Sequence, residues 1–161
     1  MLALVPCAAL PAQAPLTMGH GPHGYDFLIG TWNCRNDSPS AVGGPAQITF
    51  SYKRNASGNG GLSVVASAQN FDIAGYLAYV GKTKTWYAPI AYADGSYTNE
   101  SATASGNRVR WEGPYFDAST GKTTQVSDTF TLPSLKKYTD LGQTKMNGMW
   151  KKTYMMVCTK R

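Results

Sequence analysis

The turn-forming residues constrain this chain more than any other feature. Asn59-Gly60-Gly61, Asp94-Gly95, Ser105-Gly106-Asn107 and Ser119-Thr120-Gly121 interrupt runs of β-branched, aromatic and small residues. Short runs cut at such regular spacing make successive hairpins rather than helices. Strands are predicted over 29–35, 46–54, 62–70, 73–80, 85–92, 96–103, 108–113, 123–132, 136–141 and 149–159. Nothing repeats at a fixed period, and no linker divides the chain, so 161 residues read as one domain.

Alternation within the runs assigns their faces. Ile48, Phe50 and Tyr52 oppose Thr49, Ser51 and Lys53; Leu62, Val64, Ala66 and Ala68 oppose Ser63, Val65, Ser67 and Gln69; Val109 and Trp111 oppose Arg108, Arg110 and Glu112. One apolar and one wet face per strand is the mark of an antiparallel sheet around a single interior. So many strands leave edges bare unless the sheet closes or doubles over. The predicted fold is therefore all-β, a single antiparallel up-and-down barrel of roughly ten strands, with a two-sheet sandwich as the alternative. Composition agrees. Ten Tyr, 17 Gly and only two Glu favour strands and tight turns over helices.

The first fourteen residues, MLALVPCAALPAQA, are apolar, uncharged and end in Ala12-Gln13-Ala14, the small-x-small pattern read by signal peptidase. They are read as a signal peptide, shortened at its start because the basic leading residues are missing. Residues 15–27 follow as a flexible Gly- and Pro-rich lead, and 28–161 as the barrel. Cys7 does not make a lipoprotein site, because Pro6 stands where that signal needs a small residue. No run reaches the length of apolar residues that a membrane-spanning helix requires. The expected location is secreted or periplasmic.

Removal of that segment leaves Cys34 and Cys158. In an oxidising compartment they are expected to pair, the alternative being two buried free thiols. The net charge of +6 is scattered over Lys53-Arg54, Lys136-Lys137, Lys151-Lys152 and Lys160-Arg161 rather than concentrated in one stripe. That distribution argues for solubility and against nucleic-acid binding.

The segment Phe27-Leu28-Ile29-Gly30-Thr31-Trp32 resembles the Gly-x-Trp opening of lipocalins and their relatives. It is most similar to a lipocalin-like family of bacterial exported proteins of uncharacterised function. Asp94-Gly95 and Val109-Arg110-Trp111-Glu112-Gly113 are comparable to that family's later hairpins. The resemblance implies a lipocalin/nitrobindin-like barrel in which Trp32 plugs one end beneath a basic side chain from the last strand, here Lys160 or Arg161. It also implies that the first strand lies beside the last, which would make Cys34 and Cys158 neighbours.

Asp128 is the most informative ionisable residue. It shares a parity with Thr124, Val126, Phe130 and Leu132, so an inward carboxylate needs a partner. On the last strand Trp150, Lys152, Tyr154, Met156 and Cys158 share a parity, which makes Lys152 or Tyr154 the candidate partner. The alternative is a bulge that turns Asp128 outward, or a structural ion pair. Trp86, Tyr92, Tyr97, Trp111 and Phe130 are aromatic enough to line a ligand cup or to fill a core. Glu100 and Glu112 have polar neighbours and are read as solvated.

Other chemistries lack their residues. His20 and His23 form a His-x-x-His without the further ligands a metal site needs, so no metal is expected. No His follows residue 23, which argues against haem held as in nitrobindin and against a Ser/His/Asp arrangement. There is no Gly-x-Ser-x-Gly elbow, P-loop or Gly-x-Gly-x-x-Gly. No cofactor is expected. The sequence is thus read as an exported protein that binds a small, apolar or aromatic molecule, with Asp128, Lys152, Tyr154, Trp86, Trp111, Tyr97 and Phe130 as contacts. Two alternatives stand beside it: an enzyme using Asp128 as acid or base, and a packed barrel acting through its surface.

Overall fold

The computed structural model describes residues 18–37, 45–56 and 60–161. The segment read as a signal peptide, Cys7 included, lies outside them. Each predicted run is a strand: β1 (Gly30–Asn36), β2 (Gln47–Arg54), β3 (Leu62–Ala68), β4 (Phe71–Val80), β5 (Thr85–Tyr92), β6 (Tyr97–Ser105), β7 (Arg108–Asp117), β8 (Lys122–Ser134), β9 (Lys137–Met146) and β10 (Met149–Lys160). Every strand pairs antiparallel with its neighbours in sequence, and β1 pairs with β10, so the sheet closes as a barrel. Several strands run beyond their predicted ends, β7 and β9 by the most, because the ladder continues through Pro114 in β7 and Gly142 in β9. At Gly113 a Cβ would stand 2.2 Å from the Asn99 carbonyl oxygen, so only glycine lets β7 approach β6 there.

The closing seam sets Trp32 opposite Lys160, Cys34 opposite Cys158 and Asn36 opposite Met156. Cys34 and Cys158 are joined by a disulfide across 124 residues of chain. A loop of that length removes about 4–5 kcal/mol of chain entropy from the unfolded state, in the simplest model.

The barrel has two unlike halves. At one end an aromatic plug fills the interior. Trp32 is fully buried beneath the 3-10 turn Asp26–Leu28 and donates its indole N–H to the Leu28 carbonyl at 2.7 Å. Lys160 Nζ lies 5.4 Å above the indole centre and donates to the Phe27 carbonyl at 3.0 Å. Tyr25 stands edge-on to Trp86 with centroids 4.7 Å apart, and Trp86 donates to the Gly21 carbonyl at 2.9 Å. The segment read as a flexible lead thus supplies Met18 and Tyr25 to this plug, both buried. His23, also from the lead, sits exposed at 3.1 Å from the Asp26 carboxylate. Trp32, Trp86 and Tyr25 thus bury their rings together at this end of the core.

Candidate ligand-binding site

The other half of the barrel is hollow. A cavity of about 420 Å³ runs inward from the end bearing the β7–β8 and β9–β10 turns, where Tyr115, Val126 and Thr144 line it. Its deeper walls are mainly apolar and aromatic and include Phe71, Ile90, Tyr92, Trp111 and Phe130. This volume is within the range of small-molecule sites. The packed-interior alternative therefore does not describe this barrel.

Three carboxyl groups face the cavity: Glu100 from β6, Asp128 from β8 and Asp140 from β9. Glu100 and Asp140 are each 5% exposed. The expectation that Glu100 is solvated is thereby overturned. β6 carries polar residues on both faces, and the small Ala102 and Ala104 on the face of Glu100 were the only sequence signal of its orientation. The pairing Ala102↔Trp111 in the ladder, together with Thr98 and Glu100 buried in register, turns the acid inward.

The hydroxyl of Tyr154 donates to Asp128 Oδ1 and lies 3.5 Å from Asp140 Oδ2. This contact depends on Gly142. That residue is opposite both Asp128 and Tyr154 in their ladders, and a Cβ on it would stand 2.2 Å from the Tyr154 ring. A glycine facing the acid is what allows the phenol to reach it.

Burial pushes all three acids up. Asp128 rises to about 6, held down from a larger rise by the Tyr154 hydroxyl and by the Glu100 carboxyl, which stabilise its charged form. Desolvation raises Glu100 to about 9, with the neighbouring Asp128 charge adding to it. Asp140 is raised well above the ordinary carboxylate range by burial and then by the charges of Asp128 and Glu100. At neutral pH the cluster therefore carries the Asp128 negative charge, flanked by protonated acids and a phenol. No Lys, Arg or His is among the described residues that line the cavity. Asp140 Oδ1 and Trp111 Nε1 are buried with no hydrogen-bond partner among the described residues. Nor do the described residues include a group of three His, Cys, Asp or Glu placed to hold a metal.

Of the residues anticipated from sequence, Asp128, Tyr154, Trp111 and Phe130 meet in this cavity, together with Tyr92. Lys152 does not, because β10 shifts register between Lys152 and Tyr154. The bulge breaks the parity that linked them, so Thr153 lines the cavity and Lys152 is exposed. Tyr97 is 52% exposed and stacks outside on Phe116, with centroids 5.2 Å apart. Trp86 is buried in the plug rather than at the cavity wall. Asp140 escaped the sequence reading, although it shares a parity with the buried Tyr138 and with Gly142.

No family model and no curated protein matches this chain. Among solved structures, one described as "Structure of EF1p2_mFAP2b bound to DFHBI" is similar at 12% identity and a TM-score of 0.38, covering 87% of this chain and 98% of that one.

Proposed function

We propose that this protein binds a small, largely apolar molecule inside the hollow half of its barrel, held by the carboxyl cluster at the inner wall. The observation that carries this reading is the cavity of about 420 Å³ with aromatic walls and convergent buried polar groups. Filled cores close such spaces, and a void of this size forfeits dispersion contacts on every lining residue unless something occupies it. Asp128, Tyr154, Trp111, Phe130 and Tyr92 are the contacts. The Cys34–Cys158 disulfide is compatible with an exported protein. Among the described residues no helix is long and apolar enough to cross a membrane. Export itself, with residues 1–14 as its signal, and membership of the lipocalin-like family belong to the same proposal and rest on the sequence pattern.

A neutral apolar fluorophore, N-phenyl-1-naphthylamine, tests the reading. It should brighten on titration into the folded protein with one site per chain, and lose that response when Ala88→Phe, at the cavity wall, fills the space. A folded wild-type protein that leaves the dye dark would overturn it.

A second reading, acid–base catalysis, is favoured by Asp128 alone. A carboxylate near pH 6 beside protonated donors is suited to abstract a proton and stabilise the resulting oxyanion. It differs from the first in requiring that the molecule leave altered.

A further inference from the structure

The described residues that line the cavity include acids and no base, and this imbalance says more about its occupant than its size does. Glu100, Asp128 and Asp140 converge from three strands, and the groups facing them are all neutral or acidic. Tyr154 approaches from β10, Tyr92 from β5, Tyr52 from β2 and Tyr138 from β9. A buried carboxylate without a counter-charge is costly, and proteins normally supply an Arg or Lys at such a place. Even the partly exposed Asp26 at the plug end has such a partner, Arg54. In the cavity no described residue plays that part.

Asp140 adds an independent sign. Its Oδ1 is buried in a residue that lines the cavity and has no hydrogen-bond partner among the described residues, so that wall lacks a donor. The walls suit the same visitor. Trp111, Tyr92 and Phe130 offer aromatic faces, which attract cations once water is excluded.

We propose that the occupant is an organic cation: a protonated amine on an apolar body, its ammonium seated among Asp128, Asp140 and Glu100 and its body against the aromatic walls. A primary ammonium brings three N–H donors and the charge that Asp128 lacks, with Glu100 and Asp140 offering further oxygens at the same wall. The inference rests on the ligand-binding reading and names the ligand class. It also excludes one, because fatty acids and other carboxylates would bring a second negative charge to Asp128. Seating a cation favours ionised acids, so binding near neutral pH should release protons from Glu100 or Asp140.

The test is displacement of N-phenyl-1-naphthylamine by three probes of equal shape: 1-naphthylmethylamine, 1-naphthalenemethanol and 1-naphthoic acid. At pH 7.5 the amine should displace the dye at a concentration about tenfold or more below the alcohol, with the acid weakest. The amine's advantage should fall about tenfold at pH 5, where Asp128 is largely protonated while the amine keeps its charge. Asp128→Asn should bring the amine and the alcohol together. An alcohol that displaces as well as the amine at pH 7.5 overturns the cation assignment while the binding reading stands, since the dye is still bound. A preference that persists at pH 5 overturns it even if the variant does not fold. A dye that never binds sinks both.

Discussion

The two halves of this barrel are built from the same ten strands, yet they solve opposite problems. The plug half is filled by rings and satisfies its tryptophans locally, although Tyr25 Oη and Asp26 Oδ1 there have no hydrogen-bond partner among the described residues. Trp32 and Trp86 each donate to a backbone carbonyl, and Lys160 covers the Trp32 ring. The hollow half sets three acids around a cavity, and Asp140 Oδ1 and Trp111 Nε1 there also lack partners among the described residues. Unsatisfied polar groups and voids are each destabilising. Unpartnered polar atoms occur in both halves, so what separates them is the cavity and its acids: one end is packed for stability and the other gives some of it up.

If that division is real, equivalent truncations should cost unequal amounts. Trp32→Ala removes a ring with no exposed surface and should destabilise by about 3–5 kcal/mol, the range for large aromatic truncations in packed cores. Phe71→Ala, at a partly buried position beside the cavity, should cost less than about 2 kcal/mol, because the ring already lacks contacts on one side. Urea unfolding of the two variants measures the difference. Equal losses would mean that the hollow half is as tightly packed as the plug, and the comparison would collapse.

The same contrast explains what could be read from sequence. The ten strands were legible because turn residues punctuate the chain, and because β2, most of β3 and the first half of β7 alternate between apolar and polar. Trp111, Phe130, Asp128 and Tyr154 were legible as site residues by parity. Glu100 and Asp140 were not, since β6 and β9 carry polar residues on both faces and only the closed ladder decides which face is inside. Lys152 was misplaced because a bulge, invisible to hydropathy, moves the strand by one residue. Sequence periodicity reports burial that is apolar. It is weakest where polar groups are buried, which here is the site itself.

Buried acids also give the hollow half a pH signature. Glu100 is raised from 4.5 to about 9, so its contribution to stability is whole below about pH 4.5 and drains away as pH rises towards 9. Asp128 acts in the same direction between about 4 and 6. The empty protein should therefore unfold at a higher urea concentration at pH 5 than at pH 8.5. Glu100→Gln keeps the shape and removes one titration, so it should flatten this dependence and stabilise the protein at pH 8.5 by on the order of 1 kcal/mol. A Gln variant with the same pH slope as wild type would mean that Glu100 is ionised in the fold, and that its burial does not destabilise this half.

The smallest effect sharpens the plug. Gly30 has φ +122°, and a Cβ on it would stand 3.0 Å from Lys160 Cε, so a bare backbone lets the lysine stem cross towards Trp32. The glycine and tryptophan of the opening motif thus serve one contact. Lys160→Met keeps the stem and loses the charge, and should cost about 0.5–1 kcal/mol. Part of that loss belongs to the ring and part to the bond with the Phe27 carbonyl. Repeating the substitution in Trp32→Ala separates them, because only the ring-borne part should disappear. If Lys160→Met costs the same in both backgrounds, the lysine holds the 3-10 turn in place through Phe27 and contributes nothing through the indole.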